Sequence, residues 1–261
     1  MSSHRFLLWM PLFTLLRVTA VDAGEEDRPI PEASHKTESQ PVRDRGPERA
    51  LLARLRASER DFLLGLAAHE QGDLAGAEAA YGSALRADPS FVEARVNLAR
   101  VWIAQRRWAQ AEAQLDQAVG SRPGYPPLYA ARALLALERG ETTRARSELD
   151  RVLRMDPDNL EARINLSALL IQQRQLVEAR PHLDRVLEMD PQNVAAVLNR
   201  ALLEDIAGHR IEAAYFYESY LALAPQRDPD RSAVEERIRA LGMKSAALLP
   251  ADAARARQAD P

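Results

Sequence analysis

The sequence predicts an all-α fold built from tandem helical hairpins, and three observations carry that reading. Proline stands at 89, 123, 157, 191 and 225, a step of 34 residues each time. Alanine keeps the same step at 77, 111, 145, 179 and 213. Aromatics make up only 5% of the chain, and β-branched residues are too sparse to build a large sheet. With proline at about 5% of residues, four further prolines in register arise by chance on the order of once in 10^5 trials, so the period reports structure.

Taken in order, residues 1–23 read as a secretory signal peptide. Arg5 supplies the basic start, residues 6–16 form an apolar run, and Val21 and Ala23 make a small-residue cleavage site before Gly24, with Ala20 the second choice. A membrane-spanning helix needs about 20 apolar residues, whereas this run stops at Arg17. Cleavage is the favoured outcome and an uncleaved tether the alternative. Residues 24–46 carry Pro29, Pro31, Pro41 and many charges, which marks a linker too polar to offset its own ordering entropy. Residues 47–57 read as an N-terminal capping helix, with Leu51, Leu52 and Leu55 at helical spacing, able to run straight into the first repeat.

Numbering each unit from 1 to 34 with proline at 32 places repeats at 58–91, 92–125, 126–159, 160–193 and 194–227. Position 8 is small: Gly65, Ala99, Ala133, Ser167 and Ala201. Position 20 is Ala77, Ala111, Ala145, Ala179 and Ala213, while position 24 is bulky: Tyr81, Leu115, Leu149, Leu183 and Tyr217. Two helices of a hairpin approach closely where both carry small side chains, and the bulky residue fills the space alongside. Pro89, Pro123, Pro157, Pro191 and Pro225 then end the second helices, because proline lacks the N–H and drives its predecessor out of the α region. Position 15 holds Gly72, Gly140 and Gly208, suited to a left-handed turn; Arg106 and Arg174 take that place in the other two units at some cost. Residues 228–242 read as a C-terminal capping helix, begun by Asp230 or Ser232 with Val234, Ile238 and Leu241 on one stripe. Residues 243–261 read as a flexible tail.

This register resembles the tetratricopeptide repeat over residues 58–227, whose consensus has small residues at 8, 20 and 27 and proline at 32. Departures fall at position 4, where only Tyr129 is aromatic, and at position 27, where Val152, Val186 and Tyr220 replace a small residue. The resemblance implies a right-handed superhelical solenoid of helix-turn-helix units, with the first helices lining a concave groove. Positions that face such a groove in the family hold Phe62, Leu66, His69, Val96, Arg100, Ile103, Leu134, Leu137, Ile164, Ile171, Leu198 and Leu202. Glu59, Glu93, Glu138, Glu161 and Asp205 stand among them as acidic edges. Such a lining suits an amphipathic helix or extended peptide with basic flanks, the alternative being that these side chains pack between hairpins. The lysine–asparagine clamp that some family members use on chaperone tails is missing: Phe62, Val96, Ala130 and Ile164 occupy the lysine position. Asn97, Asn165 and Asn199 at position 6 read as structural, bonding backbone between hairpins.

Other chemistries are set aside on composition. A net charge of -3 without a basic block lacks the footprint of a nucleic-acid binder. No cysteine is present, which removes disulfides, thiol catalysis, zinc-thiolate sites and a lipoprotein anchor. His4, His35, His69, His182 and His209 are scattered without ligand spacing, so no catalytic, cofactor or metal residue is assigned. The reading is a non-catalytic protein–protein interaction scaffold of the bacterial periplasm with a protein or peptide client and no membrane insertion after cleavage. The alternative is a membrane-tethered structural subunit of an envelope machine. Pilus assembly, cytochrome maturation and exopolysaccharide export stay open as pathways, as does oligomeric state.

Overall fold

The computed structural model describes residues 46–242, with side chains from residue 49. The predicted signal peptide and its cleavage sites, the linker up to residue 45 and the tail 243–261 lie outside the described residues. Every regular element among the described residues is a helix: α1 Gly46–Glu70, α2 Leu74–Ala87, α3 Val92–Ala104, α4 Trp108–Ser121, α5 Pro126–Glu138, α6 Thr142–Met155, α7 Leu160–Gln172, α8 Leu176–Met189, α9 Val194–Ala207, α10 Arg210–Leu223 and α11 Arg231–Ala240. The all-α fold of tandem hairpins stands. Residues 47–57 and the first repeat helix form one helix, so α1 runs to 25 residues where the later first helices have 13 or 14.

Local chemistry explains where each helix stops. Second helices end two residues before each repeat proline, and the residue between is pulled extended: φ is -133° at Asp88, -147° at Arg122, -138° at Asp156 and -136° at Asp190. First helices end in a left-handed residue, with φ of 76° at Gly72, 58° at Arg106, 72° at Gly140, 62° at Arg174 and 87° at Gly208. The next N–H then reaches back five residues, as in Arg107 N to Trp102 O at 2.8 Å and Gln175 N to Leu170 O at 2.8 Å. Asn159 and Asn193 cap the helices that follow them, accepting from Ala162 N at 2.9 Å and Ala196 N at 3.0 Å.

The described chain divides into two compact units, residues 46–131 and 132–242, with the boundary inside α5. In the first, α1, α2, α3 and α4 each pack on the next; in the second, α6 through α11 do so, and α7 also meets α9. All five position-20 alanines are 0% exposed, and the five position-24 side chains are at most 1% exposed. In the first hairpin the contact leaves no room for a side chain at position 8, since a Cβ on Gly65 would fall 2.5 Å from the Tyr81 ring. Leu98 and Val101 join Tyr81 and Ala77 in that core, whereas Tyr217, Tyr220, Val234 and Ile238 anchor the last one.

Candidate functional site

The first-helix face splits into buried and accessible parts. Val96, Arg100, Ile103, Leu134, Leu137, Ile164, Ile171 and Leu198 are each 9% exposed or less. The expectation of an accessible lining is corrected for these eight, seven apolar side chains and Arg100. Their side chains pack inside the repeats, as Leu137 does against Ala136, Ala145 and Leu169, and Leu198 in the core of the last hairpin. Phe62, Leu66, His69 and Leu202 are half-buried and keep surface to offer. Phe62 lies 4.9 Å from the Phe91 ring and 5.8 Å from Tyr81, and His69 sits edge-on to Tyr81 at 6.4 Å. Burial, then the nearby Arg100 charge, pushes His69 below the usual histidine value, which disfavours its cationic form.

Asp205 is also corrected. It is 9% exposed rather than on a groove edge, because Arg237 of α11 forks onto it with two bonds of 2.6 Å and Tyr217 donates a third at 3.0 Å. It holds the C-terminal cap in place. Asn199 does bond between hairpins, through Nδ2 to the Ile164 carbonyl at 3.4 Å.

The second unit carries a charged cleft that sequence spacing did not single out. About 790 Å³ in volume, it opens between α8, α9 and α10 and is lined by Arg180, Asp184, Arg200, Glu204, Tyr215 and Phe216 among others. Glu204 forms its floor at 1% exposure. It accepts from Arg180 at 2.6 and 3.0 Å, from Arg200 at 2.6 Å, and pairs with His209 Nδ1 at 2.7 Å. Arg200, 4% exposed, also bonds Asp184 and lies over the Phe216 ring at 5.3 Å. Burial pushes the Glu204 carboxyl up, but the bonds from Arg180, His209 and Arg200 more than reverse this and bring it down to about 2. A carboxylate so committed carries no proton at neutral pH, and the cleft is an ion-paired seam between neighbouring hairpins.

The same seam recurs in the first unit. Glu78 accepts from Trp102 Nε1 at 3.0 Å and from Arg107 at 2.7 Å, joining one hairpin to the next. Glu78 and Arg180 share position 21, and each reaches the residue 24 places on, Trp102 and Glu204. That offset was a signal available in the sequence. Among the described residues no group of three or more histidine, aspartate or glutamate side chains converges as a metal site does, and no helix is long and apolar enough to cross a membrane.

Stacked hairpins of this register define a helical-repeat protein. Tetratricopeptide repeat patterns match residues 68–135 and 136–204, with a further pattern on 44–89, and the chain belongs to the tetratricopeptide repeat family. No match was found among curated protein sequences. Among solved structures the chain is similar to a thermophilic tetratricopeptide repeat protein of Thermus thermophilus, with a TM-score of 0.60 and 19% identity over 71% of this chain and 98% of that one. It is similar to PilW, a type IV pilus biogenesis factor, with a TM-score of 0.62 and 20% identity over 77% and 89%. It is also similar to YrrB, a repeat protein with an unusual peptide-binding site, with a TM-score of 0.51 and 16% identity over 75% and 95%. At these identities the likeness is one of fold.

Proposed function

We propose that the protein is a non-catalytic interaction scaffold of the bacterial cell envelope that holds a peptide or helix of a protein client on its first-helix face. One observation carries the reading: on α1 of the first unit Phe62, Leu66 and His69 keep accessible surface beside the buried Tyr81, and on α9 of the second unit Leu202 keeps it beside the buried Leu198. A preformed surface with a few accessible anchors lowers the ordering cost of binding an extended or helical segment. The peptide-binding site named for YrrB and the pilus biogenesis role named for PilW support a protein or peptide as the class of partner. The exported location rests on Arg5, the apolar run 6–16 and the small residues at Val21 and Ala23.

The test places a photo-crosslinking residue at Leu66 or Leu202, with Glu235 on the cap as control, in cells that make the protein. A client captured from the first two sites and not from the third supports the reading; equal capture from all three overturns it. N-terminal sequencing of the exported protein decides the tether alternative: a start at Gly24 or Val21 gives the cleaved form, an intact Met1 the anchored one.

A further inference from the structure

The face of a first helix that meets the preceding hairpin uses positions 3, 7 and 10. In the second repeat these are Ala94, Leu98 and Val101, at 0%, 5% and 0% exposure; in the fourth they are Ala162, Leu166 and Leu169, at 0%, 3% and 0%. On α1 position 7 is Leu64, 57% exposed, and beside it at position 6 Leu63 is 59% exposed. The N-terminal half of the same helix adds Leu51 at 56%, Leu52 at 53% and Leu55 at 38%. By contrast the far end of the repeats is closed by α11, whose outward residues Ser232, Glu235, Glu236 and Arg239 are polar and exposed. Head-to-tail stacking of copies would set those charges against leucines. Head-to-head contact sets leucine against leucine.

The spacing on α1 specifies how. At about 100° per residue, Leu52, Arg56, Glu59 and Leu63 fall within about 60° of one another, the narrow seam of a coiled coil. All four are exposed. Turned end for end about a two-fold axis between Ala57 and Ser58, the stripe matches itself: Leu52 meets Leu63 of the second copy and Arg56 meets its Glu59, with both pairs repeated by symmetry. We propose that this protein forms a weak two-fold dimer through antiparallel pairing of α1, with Leu52, Arg56, Glu59 and Leu63 as its seam. One helix pair buries less than the standard interface of about 800 Å² per partner, which places it among weak or transient contacts.

The experiment uses the purified chain in sedimentation velocity from 1 to about 300 μM, with far-UV circular dichroism to check folding. The expected result is a concentration-dependent dimer that Arg56→Glu weakens at least tenfold and that Arg56→Glu with Glu59→Arg restores. The chain has no cysteine, so mixing a Leu52→Cys variant with a Leu63→Cys variant tests register directly: the mixed disulfide forms, while Leu52→Cys alone does not self-link, its two sulfurs being about 16 Å apart along the helices. A monomer throughout the range overturns the proposal. So does self-linking of Leu52→Cys, which marks parallel pairing, or a dimer that appears only after residues 1–45 are removed, which marks the chain's own N-terminal segment as the occupant.

Discussion

The two ends of the repeat array handle the same problem in opposite ways. At the C-terminal end, α11 covers the last hairpin with Val234 and Ile238 at 0% and 6% exposure, and Arg237 pins it to Asp205, the pair being 10% and 8% exposed at their side chains. At the N-terminal end, α1 carries Leu52, Leu63 and Leu64 more than half exposed, and its ion pair, Arg60 with Asp61, has an arginine 69% exposed. Every hairpin leaves an apolar stacking face, and a terminal one stays soluble by a polar cap or by finding a neighbour. The difference teaches that interaction capacity is not spread evenly along the repeats: one end is closed by a buried polar lock and the other is open.

Breaking the lock is the largest test of this contrast. Asp205→Ala strands Arg237 and the Tyr217 hydroxyl, and is expected to cost about 3 to 5 kcal/mol in urea denaturation. Arg60→Ala at the open end is expected to cost less than about 1 kcal/mol. Hydrogen exchange locates the damage, which should centre on α9 to α11 and leave α1 to α3 protected, because repeat proteins couple mainly to nearest neighbours. Equal loss of protection at both ends would remove the distinction.

Acid sharpens the same comparison. A carboxylate held below its unfolded pKa adds stability above that value and loses it as the proton binds. With Glu204 at about 2 when folded and an ordinary value of 4.5, its contribution is complete above pH 4.5 and disappears between there and about 2. Glu204→Gln should flatten that part of the chain's acid titration, measured by far-UV circular dichroism. An unchanged profile would mean the Glu204 network contributes nothing net.

Two smaller effects probe repeat against repeat. Gly65→Ala sets a methyl against the Tyr81 ring and should cost about 1 to 2 kcal/mol, the clash outweighing the gain in helix propensity. Adding Tyr81→Leu recreates the Ala99 and Leu115 pairing of the second repeat and should cancel the clash, leaving a negative coupling in a double-mutant cycle. Arg106→Gly, at φ 58°, should raise stability by about 0.5 to 1 kcal/mol in thermal melts, whereas Gly72→Arg at φ 76° should lower it by a similar amount.

Much of the fold was legible because it is enforced locally. Proline at position 32 acts on its own predecessor, glycine at position 15 on its own φ, and alanine at position 20 on the one helix beside it, so each rule can be read without knowing the neighbours. The candidate site was less legible. Positions 5, 9 and 12 recur with the same period whether a side chain ends in a groove or in a core, and for Val96, Ile103, Ile164 and Leu198 the core took them. Asp205 looked like a groove edge because Arg237, its partner, lies 32 residues away in the cap.

The sequence by itself determined the class of secondary structure, the 34-residue repeat with its turns and helix ends, and membership in a family of interaction modules. Each follows from backbone constraints and close packing within one hairpin. Only the tertiary structure decided which face stays accessible, that Glu204 and Asp205 are buried within ion networks, and that the leucines of α1 stand uncovered. Those outcomes depend on which side chain of the next hairpin reaches across and on which hairpins have no neighbour, and a periodic pattern does not encode either.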